Sequence, residues 1–204
     1  MNSEILVLFM LSSLTLTLMP GPDILLVFSM SMTRGWKKGL VLSLGLTSGI
    51  FIHTTVVILG IGALLQAQPN AMRFIQWIGA AYLIYLGIQI WMMKPKENKR
   101  VESPNKDRFH PFITGFIMNI TNPKVSLFFI SFFPGFLFHD SWSYGLQFLI
   151  LGILFFIQAL LVFSLVSLTA DRMGKNKKAN SDNVIWNRLQ SLIFFAIAFY
   201  LILS

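Results

Sequence analysis

Six apolar stretches, at about 5–32, 40–65, 72–93, 111–138, 144–170 and 184–203, dominate the chain, and each is long enough to cross a bilayer as a helix. Only short connections remain between them, so a separate soluble catalytic domain has no room. Nor can the apolar side chains be hidden in one soluble core. Hydrophobic residues make up 55% of the 204 and charged residues 12%, against about 25% charged in a typical soluble domain. The expected fold is therefore an all-α membrane protein of six transmembrane helices in a single domain, 1–204. A cytosolic enzyme and a disordered tail are both excluded. The absence of Cys removes disulfide scaffolds, thiol nucleophiles, iron–sulfur clusters and Cys-based zinc sites. The start Met1-Asn2-Ser3-Glu4 carries no basic region and no small-residue cleavage site follows, so the first stretch reads as a retained helix.

The net charge of +8 invites a nucleic-acid reading until the charges are placed. Arg34, Lys37 and Lys38 follow the first span. Lys94, Lys96, Lys99, Arg100, Lys106 and Arg108 follow the third, and Arg172, Lys175, Lys177, Lys178 and Arg188 follow the fifth. The opposite side holds only Arg73. The positive-inside rule puts the three basic loops in the cytoplasm and both termini outside. The basic balance is a topology signal, the partner is the lipid bilayer, and no nucleic acid is expected. The polar segments 95–107 and 174–183 read as mobile, with no catalytic pattern.

Two of the spans are interrupted near their middle. Met19-Pro20-Gly21-Pro22-Asp23 stops the first, because proline removes donors and clashes with the preceding turn. Asn122-Pro123-Lys124 stops the fourth, where Asn can cap and Pro can open a second half-helix. Non-helical backbone at that depth survives only when buried in protein or lining a watery cavity. Broken helices in corresponding positions of two halves point to a transporter binding site. Pro22-Asp23 corresponds to Pro123-Lys124, and Gly39-Leu40 to Gly145-Leu146. Each half holds three spans, an odd number, so the second enters from the opposite side. The expected architecture is an inverted repeat: repeat one at about 1–93, a cytoplasmic linker at about 94–110, and repeat two at about 111–204.

Asp23 and Lys124 are the acid and the base deep within the spans, each costing about 2.5–3.5 kcal/mol at a helix centre. Asp23 at the start of a half-helix suits the positive end of the dipole and can simply cap. Lys124 opposes the dipole of its own half-helix and needs an anion, which Asp23 or a substrate carboxylate can supply. A zwitterion fits between them, its ammonium toward Asp23 and its carboxylate toward Lys124 and half-helix amides. Asp23 can instead, or also, carry a coupling proton.

Other polar residues are open to two readings. Gly45 and Gly49 form a GxxxG, the usual mark of close helix packing, within the subunit or in a homo-oligomer. His53 lies on the Gly49 face and can relay protons or sit as a hydrogen-bonded core residue. Tyr82, Tyr85 and Gln89 share one face of the third span, as pathway lining or as packing. Asn119 and Gln158 are weaker candidates of the same kind. Ser48 and His53 are five residues apart and point about 140° from one another, so they form no nucleophile–base pair. No metal-ligand spacing appears, no cofactor is implied, and the chain does not read as an enzyme.

Three motifs together carry a resemblance. Pro20-Gly21-Pro22-Asp23, Gly79-Ala80-Ala81-Tyr82-Leu83-Ile84-Tyr85-Leu86-Gly87, and Asn119-Ile120-Thr121-Asn122-Pro123-Lys124 with Phe128-Phe129 and Phe132-Phe133-Pro134 resemble the motifs of the LysE/RhtB family of amino-acid exporters, over nearly the whole chain. The resemblance implies a multi-pass protein of the bacterial inner membrane. It would export an amino acid or close derivative on the proton or ion gradient. Family members variously handle lysine, arginine, threonine, homoserine, leucine or cysteine derivatives. The family pattern falls on Asp23, Asn122, Pro123 and Lys124. Pro134-Gly135-Phe136 departs from it, since many members carry Pro-Gln-Phe there. The alternatives are export of another small solute or cation, and a non-transport membrane enzyme.

Overall fold

The structure, a computed structural model, describes residues 3–19, 21–68, 70–92 and 110–175, with 192, 195 and 199. Those residues form helices and connections, with no strand among them. The helices are α1 (Ser3–Leu18), α2 (Pro22–Arg34), α3 (Trp36–Val56), α4 (Ala63–Ala67), α5 (Ala71–Trp91), α6 (Pro111–Ile120), α7 (Pro123–Phe132) and α8 (Tyr144–Lys175). A π-helical turn, Val57–Gly62, joins α3 to α4, and a 3-10 turn, Phe133–Phe136, extends α7. Two continuous helices among the described residues, Trp36–Ala67 and Tyr144–Gly174, are long and apolar enough to span a membrane. Two bent pairs also qualify if each is one span: α1 with α2, at 57°, and α6 with α7, at 50°. The first bend falls at the proline-glycine break and the second at Asn122-Pro123, although Pro20 itself is outside the described residues. The expected sixth span, 184–203, and the linker 94–109 also lie outside them, apart from the three helical residues 192, 195 and 199.

The surface is inverted relative to a soluble protein. Leu59, Phe74, Trp77, Leu161 and Leu165 are all more than half exposed, a surface that lipid covers and water would not tolerate. Many hydroxyls point inward instead. Ser12, Thr15, Thr17, Ser31, Ser43, Thr47 and Thr54 are buried, and each bonds a carbonyl one turn earlier in its own helix. Such back-bonding satisfies a hydroxyl where no water is available.

Small residues bring the helices together. A Cβ added at Gly45 would strike the Phe112 carbonyl, at Gly49 the Asn119 side chain, and at Gly115 the Leu42 carbonyl. The GxxxG therefore seats α6 against α3 within the chain. At Gly87 an added Cβ would lie 2.7 Å from the Phe195 ring, so α5 approaches Phe195 closely there. α8 crosses behind α1, α2 and α3, and α5 packs on α7. Phenylalanines fill the centre: Phe128, Phe129, Phe132, Phe133 and Phe136 are fully buried. Phe9 meets Phe133 and Phe136 edge-on, at centroid distances of 5.4 and 5.5 Å.

Candidate functional site

The two breaks place two half-helix N-termini side by side. At the first, Gly21 caps α2 in an extended conformation with no side-chain hydrogen bond, and Pro22 is the first helical residue. Asp23 follows in the first turn. At the second, the Asn122 side chain caps α7, its Oδ1 accepting from the Lys124 backbone N–H at 3.1 Å, with Pro123 first in the helix. Across the gap, Lys124 Nζ stands 3.7 Å from Asp23 Oδ2, and both side chains are at least nine-tenths buried. Lys124 Nζ also donates to the Met19 carbonyl at 3.3 Å. That carbonyl ends α1, so the ammonium that opposes the dipole of α7 sits at the negative end of α1. This second partner was not legible in the sequence.

Four buried side-chain polar atoms among the described residues lack partners. Asp23 Oδ1, Asn119 Oδ1, Asn122 Nδ2 and Gln158 Nε2 are buried and make no hydrogen bond. Buried polar groups are nearly always paired, and each exception asks for an explanation. Asp23, Asn119 and Thr17 line a cavity of about 20 Å³ walled by Leu16, Phe155 and Phe163. One water needs about 10–15 Å³, so the space holds a single water and no amino acid. Gln158, on α8 and not itself among the lining residues, has its Oε1 3.4 Å from Thr17 Oγ1.

His53 is buried and its Nε2 donates to the Asn119 carbonyl at 3.2 Å, which ties α3 to the last turn of α6. Its ring lies 5.4 Å from that of Phe129. Tyr82 donates its hydroxyl to the Lys124 carbonyl at 3.3 Å. Tyr85 and Gln89 bond each other, amide to phenol at 2.6 Å, on an exposed face away from the cavity. The structure thus gathers Asp23, Lys124, Asn122, Asn119, Pro22 and Pro123 at the breaks, brings His53 and Tyr82 to their flank, and leaves Tyr85 and Gln89 outside. Thr17 is the lining residue sequence reasoning missed. Its only signal is a polar residue one turn before a proline-glycine break.

A family model for the LysE type translocator matches residues 14–204. A homoserine/homoserine lactone efflux protein of Salmonella typhimurium is 30% identical over 166 residues, 81% of this chain and 80% of its own length. A leucine efflux protein of an Enterobacter species is 28% identical over 196 residues, 93% of this chain and 91% of its own. A membrane protein of Vibrio cholerae is 30% identical over 197 residues, 95% of this chain and 94% of its own. No solved structure matches. The chain belongs to the LysE type translocator family; it is a transporter and not an enzyme.

Proposed function

We propose that the protein is a secondary active transporter exporting amino acids across the bacterial cytoplasmic membrane, coupled to the proton gradient. Its substrate is a zwitterion held at the two breaks. The ammonium goes to Asp23 and the carboxylate to Lys124 and the open amides of the half-helices. Asn119 lines the same space, and Asn122 fixes Lys124 through the α7 cap. Pro22 and Pro123 open the two half-helices, while His53 and Tyr82 flank the path. When substrate leaves, Asp23 and Lys124 close on one another; a proton on Asp23 would weaken that closure and couple the two movements.

The carrying observation is the Asp23–Lys124 pair itself, buried and formed between two helix breaks, with Asp23 Oδ1 still unpartnered. An ion pair kept only for stability is easily replaced by apolar packing; one that leaves an acceptor free beside a cavity is suited to exchange partners. The names of the Salmonella and Enterobacter relatives support amino acids as the substrate class. We place the chain as six spans in two inverted repeats, 1–93 and 111–204, around a cytoplasmic linker at 94–110, with both termini outside and the basic loops within. The packing of α3 on α6 and of α8 on α1 and α2, each a contact between the two halves, supports that symmetry.

The test uses proteoliposomes preloaded with mixed amino acids under an imposed pH gradient. Gradient-dependent loss of a few amino acids, abolished in Asp23→Asn, is expected. Full export by Asp23→Asn with unchanged pH dependence would remove Asp23 from both roles.

A further inference from the structure

The polar residues lining the small cavity beside Asp23 are rich in spare acceptors. Asp23, Asn119, Thr17 and Leu16 stand on it. Asp23 Oδ1 and Asn119 Oδ1 have no partner, and each residue is only 4% exposed. Asn119 is held in place by its own carbonyl, which accepts from His53 Nε2 at 3.2 Å. The Thr17 hydroxyl gives its one proton to the Ser13 carbonyl at 2.8 Å, so it has lone pairs left to offer. Leu16 adds a backbone acceptor. Four residues beyond it is Pro20, which has no N–H, so the Leu16 carbonyl lacks the donor that a continuing helix would supply. The same helix end already holds one cation, since Lys124 Nζ bonds the Met19 carbonyl at 3.3 Å. No Lys, Arg or His lines the cavity. Residues offering carboxylate, amide, hydroxyl and freed carbonyl oxygens thus meet at a space of about 20 Å³, the donor set of a hard cation at a broken helix. No three His, Cys, Asp or Glu gather among the described residues, which sets transition metals aside. The one carboxylate is shared with Lys124 at 3.7 Å, so too little negative charge remains for a divalent ion.

We propose that this cavity binds a sodium ion, with Asp23, Asn119 and Thr17 as side-chain ligands and the broken end of α1 as the backbone ligand, and that sodium and the substrate ammonium take turns on Asp23. The second half rests on the zwitterion-binding reading of Asp23 and Lys124. A space that fits one water fits a dehydrated sodium ion, whereas potassium must push the walls apart. The neighbouring Lys124 ammonium weakens the site, which suits an ion that leaves in every cycle. Two ligands that exclude one another at a single carboxylate make an exchanger: the amino acid goes out, and sodium comes back in its place. The Asp23 carboxylate then serves sodium as well as the proton assigned to it above.

The first experiment needs no transport. Thermal unfolding of the full chain in detergent is measured in sodium, potassium and choline chloride at equal ionic strength and fixed pH, with no amino acid present. Sodium should raise the unfolding temperature saturably, by roughly 3–6 °C at ten times its Kd, and potassium and choline should not. Thr17→Val and Asn119→Leu, which each remove one ligand with little change of shape, should weaken that response, and Asp23→Asn should abolish it. In proteoliposomes preloaded with mixed amino acids, at equal pH on both sides, external sodium in place of choline should speed amino-acid loss. Equal unfolding temperatures in the three salts overturn the proposal and leave amino-acid export standing; the cavity then holds a water. A sodium response unchanged in both Thr17→Val and Asn119→Leu also overturns it, because sodium then binds elsewhere. Sodium binding without faster loss overturns the exchange of sodium for substrate. Loss of no amino acid under any gradient removes the export reading, while the unfolding shifts still decide the cation site. The comparison of salts on wild type decides it even if the variants do not fold.

Discussion

The two helix breaks look alike in sequence and differ in how they are closed. The second has a side-chain cap and local backbone bonds, although Asn119 Oδ1 and Asn122 Nδ2 stay unpartnered there. Asn122 caps α7, Thr121 N–H returns to Ile117 and Asn122 N–H to Asn119, and His53 takes up the Asn119 carbonyl from outside. The first has no side-chain cap. Its Met19 carbonyl is answered only from across the gap, by Lys124, and the Asp23 Oδ1 is not answered at all. A capped break holds its own half-helix, whereas a break completed from across the gap depends on its partner staying in place. On the export reading proposed above, the contrast would make α6–α7 the anchor and α1–α2 the exchanging part.

The largest effect expected from breaking this contrast is at Lys124. Lys124→Met leaves Asp23 as an uncompensated buried charge and the Met19 carbonyl bare, at a cost of about 3–5 kcal/mol. Thermal unfolding in detergent should show it. The double substitution Asp23→Leu with Lys124→Met should regain most of that stability, because apolar replacement of a buried pair is close to neutral. It should not regain transport. A stable double variant that still exports would reduce the pair to a structural element and erase the asymmetry between the breaks.

How much of this was legible depends on the kind of signal. The breaks were visible because proline and glycine act locally, whatever surrounds them. Asp23 and Lys124 stood out because charge in an apolar run is expensive. The GxxxG at Gly45 and Gly49 gave helix packing, and Gly115 on the facing helix shows why a small residue is needed on both sides. The Met19 carbonyl was invisible, since a backbone acceptor has no residue identity. Tyr82 and Tyr85 read as equivalent because they share a helix face, and only tertiary packing separates them. Gln158 and Thr17 were weak or silent because every polar residue in an apolar helix looks the same until its partners are known.

Smaller effects sharpen the contrast. A Cβ at Gly21 would lie 2.6 Å from Asp23 Oδ1 and 3.1 Å from Lys124 Nζ. Gly21→Ala should therefore push the pair apart, with a stability loss of about 1–3 kcal/mol and a fall in export rate. At the other break, Thr121, which precedes the Asn122 cap, is exposed and bonds its own helix. Thr121→Ala should stay within about 0.5 kcal/mol of wild type and export normally. Asn122→Ala should cost about 1 kcal/mol through loss of the α7 cap, recovered in Asn122→Asp. If Gly21→Ala exported normally while Thr121→Ala did not, the assignment of anchor and moving part would be reversed.

The smallest effect distinguishes two tyrosines three residues apart. Tyr82 anchors the third span to α7 through the Lys124 carbonyl at 3.3 Å. The carbonyl is on the backbone that carries the ammonium, so the phenol sets where the lysine starts from rather than where its charge ends. Tyr82→Phe removes only that bond, at about 0.5–1.5 kcal/mol, and should slow export more than it lowers the unfolding temperature. Tyr85 is bonded to Gln89 on the exposed face, and Tyr85→Phe exchanges one surface contact for another. Its stability should remain within about 0.5 kcal/mol of wild type, with export unchanged. Equal effects of the two substitutions on export would mean that the path runs along the outer face of α5, and that α7 is held by something other than Tyr82.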